Sequence, residues 1–251
     1  MICTIILVVI AIIILLITCS NVPDLDDYIS SCEGKNILKY VNLDDFLKEC
    51  DNGDIILMCG NTRGERSCRW VTNCRFSHVA IIFRETNENN ESIPFVWESD
   101  LGGGSKDGPR IMRLDDKLRN YHGYKNLSWR KLKCTETNKM SGKKPTTQDI
   151  MEIVREMQDY KFDIRMIKWF TSSGLLKSFH HLFYDETKKF CSELVAETFQ
   201  KLGIFHNSLD LSSKPACWYS PKNFDDLKVV GLQKDYFFED HLFVDFSEMN
   251  S

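Results

Sequence analysis

The sequence predicts an α+β domain in a single unit, with a small antiparallel sheet packed against helices. Three observations lead there. Short apolar runs bounded by turn residues, "DIILMCG", "FSHVAIIF" and "IPFVWES", follow one another closely enough for an antiparallel meander with short loops. Two segments of helical periodicity, "TTQDIMEIVREMQDY" and "CSELVAETFQKLG", come later in the chain, and no stretch repeats another. With 43% of its 251 residues hydrophobic and 27% charged, the chain can bury one substantial core and is too apolar to be disordered.

The N-terminal segment differs in kind. Ile2 to Cys19 is 18 residues without a charge, about 27 Å as a helix, which just spans a bilayer. A secretory signal starts with Lys or Arg and has a shorter apolar stretch. An uncleaved transmembrane anchor over residues 1–20 is therefore expected ahead of a cleaved signal, and lipidation at Cys19 behind both. Asp24, Asp26 and Asp27 follow the span and no basic residue appears before Lys35, so the positive-inside rule favours a body outside the cytoplasm.

Residues 21–50 read as a linker and a short helix, "NLDDFLKECDNGD", with Asn42 as N-cap and Asn52-Gly53 as the stop. The domain proper is expected over 51–251. After the three strands, "DLGGGSKDGPR" reads as a loop, and "RIMRL" and "LSWRKLK" as further strands. Thr146 and Asp149 stand at capping-box spacing, and Ile150, Ile153, Val154 and Met157 share one helix face. Residues 161–189 are aromatic-rich and show no clear period. The helix from Cys191 presents Leu194, Val195, Thr198, Phe199 and Leu202 on one stripe and stops at Gly203. The tail predicts a turn, a short helix in "YSPKNFDDLKVV" and a closing strand in "DYFFEDHLFVDF".

A net charge of −4, with no Lys/Arg cluster interleaved with aromatics, argues against a nucleic-acid partner. Ten cysteines leave two outcomes open. Outside the cytoplasm some of Cys32, Cys50, Cys59, Cys68, Cys74, Cys134 and Cys217 could pair; inside it they are buried thiols.

Cys191 opens a helix, where backbone N–H groups stabilise a thiolate, and Lys188 and Lys189 add positive potential. His78 heads the run "HVAIIF", directly after Ser77, where its ring can enter a cleft and take a thiol proton. Glu98, in "VWES", ends the next strand, and an antiparallel pairing brings that end beside His78. A carboxylate there would fix the imidazole and stabilise its charged form. Asp54 and Glu193 read first as cap and first-turn residues and second, with Ser77, as cleft-lining ones; His180 and His181 read as rim residues. Cys59, Cys68, Cys74 and His78 are all possible zinc ligands. Their gaps of eight, five and three residues lack the paired spacing of structural zinc sites, so no metal is expected.

"GDIIL", "FSHVAIIF", "VWES", "FCSELVAETF" and "YSPKNF", in this order, resemble the YiiX-like branch of the NlpC-type papain-like superfamily, from about Gly53 to Phe224. The resemblance implies a circularly permuted papain-like (NlpC-type) fold in which histidine precedes cysteine. It also implies a thiol nucleophile at Cys191, a base at His78, an orienting residue at Glu98, and no cofactor. The expected activity is a membrane-anchored cysteine hydrolase acting on amide or ester bonds of peptides or lipids. An acyltransferase using the same thioester, and a non-catalytic binding module on the same fold, are the alternatives.

Overall fold

The structure, a computed structural model, describes residues 39–60, 62–100, 107–119, 127–135, 143–163, 187–206, 215–226, 229 and 231–246. The expected anchor over 1–20, Cys19, Cys32, and His180 and His181 lie outside the described residues. Among those described, no helix is long and apolar enough to cross a membrane.

A seven-stranded sheet forms the centre, larger than the sequence suggested. Its strands are β1 (Lys39–Asn42), β2 (Ile55–Met58), β3 (His78–Thr86), β4 (Ser92–Asp100), β5 (Gly108–Arg113), β6 (Leu127–Arg130) and β11 (Leu242–Asp245), in the order β1-β11-β6-β2-β3-β4-β5. The meander β2-β3-β4-β5 is antiparallel throughout, and β1 runs parallel to β11. Two small two-stranded sheets flank it: β7 (Leu132–Cys134) with β10 (Tyr236–Phe238), and β8 (Lys161–Phe162) with β9 (Lys188–Lys189).

Both faces of the central strands are covered, which is why "IILM" is continuously apolar and wholly buried. One face, with Ile55, Leu57, Val79, Ile81, Phe83 and Trp97, packs on α4 (Thr147–Met157) and α5 (Cys191–Lys201). The other face, with Ile56, Met58, Ala80, Ile82 and Val96, packs on α1 (Leu43–Glu49) through Phe46. It also packs on α3 (Leu114–Arg119) through Leu114 and Leu118.

The expected caps form. Asn42 accepts from the Asp45 N–H at 2.7 Å, and Thr146 and Asp149 complete a reciprocal box ahead of α4. Gly203, at φ +68°, follows the last turn of α5 in the left-handed conformation expected of it.

Three expectations need correction, and one helix was not expected at all. Residues 39–50 are not a linker ahead of the domain: β1 is an edge strand of the sheet, and Phe46 of α1 is fully buried beside Trp129. The short helix ends at Glu49 rather than at Asn52-Gly53. The span "DLGGGSKDGPR" is not all loop, because Asp100 still belongs to β4 and β5 begins at Gly108-Pro109. An edge strand tolerates that proline, and Gly108, at φ +131°, lies so near Tyr160 that a Cβ would stand 2.8 Å from its carbonyl oxygen. Finally, α2 (Arg63–Thr72) is a helix that the apolar periodicity did not reveal.

Candidate active site

Past the Ile81–Trp97 pair, β3 and β4 carry His78 and Glu98 at the open end of the sheet. Side chains alternate along β4, so Trp97 enters the α5 side while Glu98 turns to the α3 side. His78 is the first residue of its strand. Its Nε2 lies 2.8 Å from Glu98 Oε2, which leaves Nδ1 for a second partner. The Cys191 sulfur shares a cleft wall with His78 and acts on the imidazole. Cys191 is held by α5, whose Leu194, Val195 and Phe199 are buried against the sheet and whose Thr198 Oγ1 accepts from Trp97 Nε1 at 3.1 Å.

All three side chains are buried: Cys191 and His78 are 7% exposed and Glu98 is 0% exposed. Burial by itself pulls the His78 pKa down. The charge of the Cys191 sulfur and its hydrogen bond, followed by Glu98, more than reverse this and push it up to about 10. Burial likewise works against the ionised form of Glu98. The His78 hydrogen bond and the charge of Lys117 outweigh it and hold this carboxyl far below the usual carboxylate range. The arrangement is therefore a protonated imidazole held against an ionised carboxylate, with the Cys191 sulfur beside it.

A cleft of about 280 Å³ opens on this pair. His78, Ser77 and Cys191 form part of its wall, together with Thr62, Cys68 and Thr72 around α2, Phe190, and Ser220-Pro221. Phe190 precedes α5 and gives the N–H groups of its first turn no side-chain cap. Ser77 borders the cleft through its carbonyl, which faces both the Cys191 sulfur at 3.9 Å and the Cys68 sulfur at 3.7 Å. Its hydroxyl accepts from the Gly60 N–H at 2.9 Å.

Two sequence candidates lie elsewhere. Asp54, at the far end of β2 from His78, is fully buried and accepts from Trp129 Nε1 and from the Leu132 N–H, both at 2.9 Å. It knits β2 to β6 and β7 and is absent from the cleft wall. Glu193 is also fully buried and outside the cleft, with Oε1 3.5 Å from Lys189 Nζ. Lys189 in turn lies 2.9 Å from Glu197, so its charge is neutralised locally rather than offered to the thiol. Lys117 and Arg110, which contact Glu98, escaped the sequence reading, as did α2. The Thr62–Glu65 capping box was the available signal for α2.

The cysteines considered as zinc ligands have separate neighbours. Cys59 accepts from Arg69 at 3.1 Å, Cys68 turns to the Ser77 carbonyl, and Cys74 lies 3.8 Å from Asp225. Cys50, Cys68, Cys74, Cys134 and Cys191 are free thiols. His78, Glu98 and Asp100 do offer ligand atoms within 4.8 Å of one another. Lys117 Nζ already stands 2.8 Å from Glu98 and 3.2 Å from Asp100, so a metal cation there would meet a resident positive charge.

No family model matches the chain, and no curated protein matches it. Among solved structures, that of metalloprotein yiiX (DUF1105) from Escherichia coli O157:H7 aligns with a TM-score of 0.40 at 16% identity. The alignment covers 63% of this chain and 71% of that one.

Proposed function

We propose that the protein is a cysteine hydrolase of permuted papain-like type, anchored at a membrane by residues 1–20 and cleaving an amide or ester bond in a peptide or lipid. The observation that carries this reading is Cys191 and His78 together on the wall of a cleft, with Glu98 buried behind the imidazole and bonded to it, and the thiol at a helix N-terminus. The Cys191 thiolate attacks the carbonyl carbon, and the electron pair of the C=O bond moves to oxygen. N–H groups at the start of α5 are donors for that oxyanion. The leaving amine or alcohol takes the proton from imidazolium His78, giving a thioester. Water then attacks the thioester, with His78 accepting its proton, and the acid is released as Cys191 regains its charge. Glu98 stays ionised and keeps the ring turned to the sulfur.

The test uses two readouts. Wild type, Cys191→Ser and His78→Ala are compared on a panel of lipid and peptidyl amides and esters; loss of at least about 10³-fold turnover in both variants is expected for a nucleophile and its base. Iodoacetamide labelling at pH 6, read at Cys191 by mass spectrometry, is expected to be rapid in wild type and slow in His78→Ala. Equal rates for all three proteins on every substrate turned over would end the proposal.

A further inference from the structure

The charges behind Glu98 exceed what a fixed carboxylate requires. Its Oε2 meets His78, while its Oε1 receives Lys117 Nζ at 2.8 Å, Arg110 Nε at 3.0 Å and Arg110 Nη2 at 2.9 Å. Three N–H donors on one oxygen settle which way the carboxylate faces. Lys117 is itself only 5% exposed, an unusual place for an ammonium group. Both cations also reach Asp100 Oδ2, Arg110 at 2.9 Å and Lys117 at 3.2 Å. Among the described residues the cluster sets two carboxylates (Glu98, Asp100) and the Cys191 sulfur against three basic groups (His78, Lys117, Arg110).

We infer that Lys117 and Arg110 are positioning residues of the triad: by binding the far oxygen of Glu98 they aim its near oxygen at His78 and, as cations, loosen the carboxylate's hold on the His78 proton. The inference rests on the proposed catalytic chain. A base that must return its proton to a leaving group is poorly served by a bare buried carboxylate, which would hold the imidazolium too firmly. Lys117 and Arg110 offset that pull without touching the ring. Among the described residues that line the cleft with His78, the other titratable groups are Cys191 from α5, Asp100 from β4, and Glu65 and Cys68 from α2. None of these is a cation, so the counterweight comes from Lys117 and Arg110.

The experiment follows the His78 ring by NMR in full-length protein carrying ¹³C-labelled histidine, with the signal assigned by its absence in His78→Ala. Titrations compare wild type, Cys191→Ser, and Cys191→Ser with Lys117→Met or Lys117→Arg. Removing the thiolate lowers the His78 midpoint into a convenient range; no change at that step would overturn the Cys191–His78 pairing itself. Against the Cys191→Ser background, Lys117→Met is expected to raise the midpoint by about one pH unit, as loss of a nearby cation must, while Lys117→Arg restores it. An unchanged midpoint, or a lower one from a Glu98 that has swung away, overturns the inference about Lys117 and Arg110 alone. If Lys117→Met does not fold by circular dichroism, Arg110→Gln supplies the same comparison, with the same sign expected.

Discussion

At the scale of single residues, the site is a set of buried charges that make sense only together. Glu98→Gln keeps the shape of the side chain and removes its charge, leaving Lys117 and Arg110 with Asp100 as the carboxylate they still meet among the described residues. Removal of one member of a buried ionic group costs about 3–5 kcal/mol, so this variant should melt well below wild type while losing turnover. Differential scanning calorimetry beside a rate assay checks both. The His78–Glu98 contact was legible in the sequence because strands alternate and short turns return a chain beside itself. The Lys117 contact was not. "LDDKLR" reads as a charged surface turn, and only the packing of α3 against β4 carries the ammonium to a carboxylate 19 positions earlier. Asp54 misled for a related reason: a carboxylate at a strand start looks like a turn residue, and nothing local announces that Trp129 and Leu132 will cover it.

Helices and strands show the same division between what is local and what is not. The capping box of α4 was readable four residues at a time, and it holds in place the face that carries Ile150, Ile153, Val154 and Met157. Thr146→Ala should destabilise the protein by about 1 kcal/mol in urea denaturation, with labelling of Cys191 unchanged. The Thr62–Glu65 box was equally readable, but α2 buries mainly Cys68, Arg69, Val71 and Thr72, a stripe with few large apolar side chains in a polar helix. Gly108→Ala tests a close approach between two stretches of backbone. The new methyl would meet the Tyr160 carbonyl oxygen at 2.8 Å in a backbone conformation that L-residues avoid. Loss of more than about 1 kcal/mol is expected there, measured in the same way.

For the molecule as a whole, two histidines set the pH range of stability with opposite signs. His78 binds its proton more tightly folded than unfolded. Its contribution is complete below pH 6.5 and is lost as pH rises toward about 10. His241 is the reverse case. Burial first, then the charge of Arg130, bring its pKa down to about 4, although Asp225 works against them. The unfolded chain therefore gains a proton between pH 6.5 and 4 that the folded chain refuses, and stability falls through that window on acidification. Melting temperature should peak near pH 6.5 and decline on both sides, with His78→Ala flattening the alkaline decline only.

The parallel pairing of β1 with β11 bears on how the chain is made. Lys39 aligns with Leu242 and Asn42 with Asp245, so the first of the described strands to leave a ribosome finds its neighbour only when the last of them has emerged. Until then β6 also lacks its outer partner, and Trp129 and Phe46 wait beneath an unfinished edge. Such long-range closure is slow, and an open strand edge invites pairing with other chains in the interval. Nascent chains arrested before residue 242 should therefore remain protease-sensitive and bound to chaperones, and should become resistant only after full release.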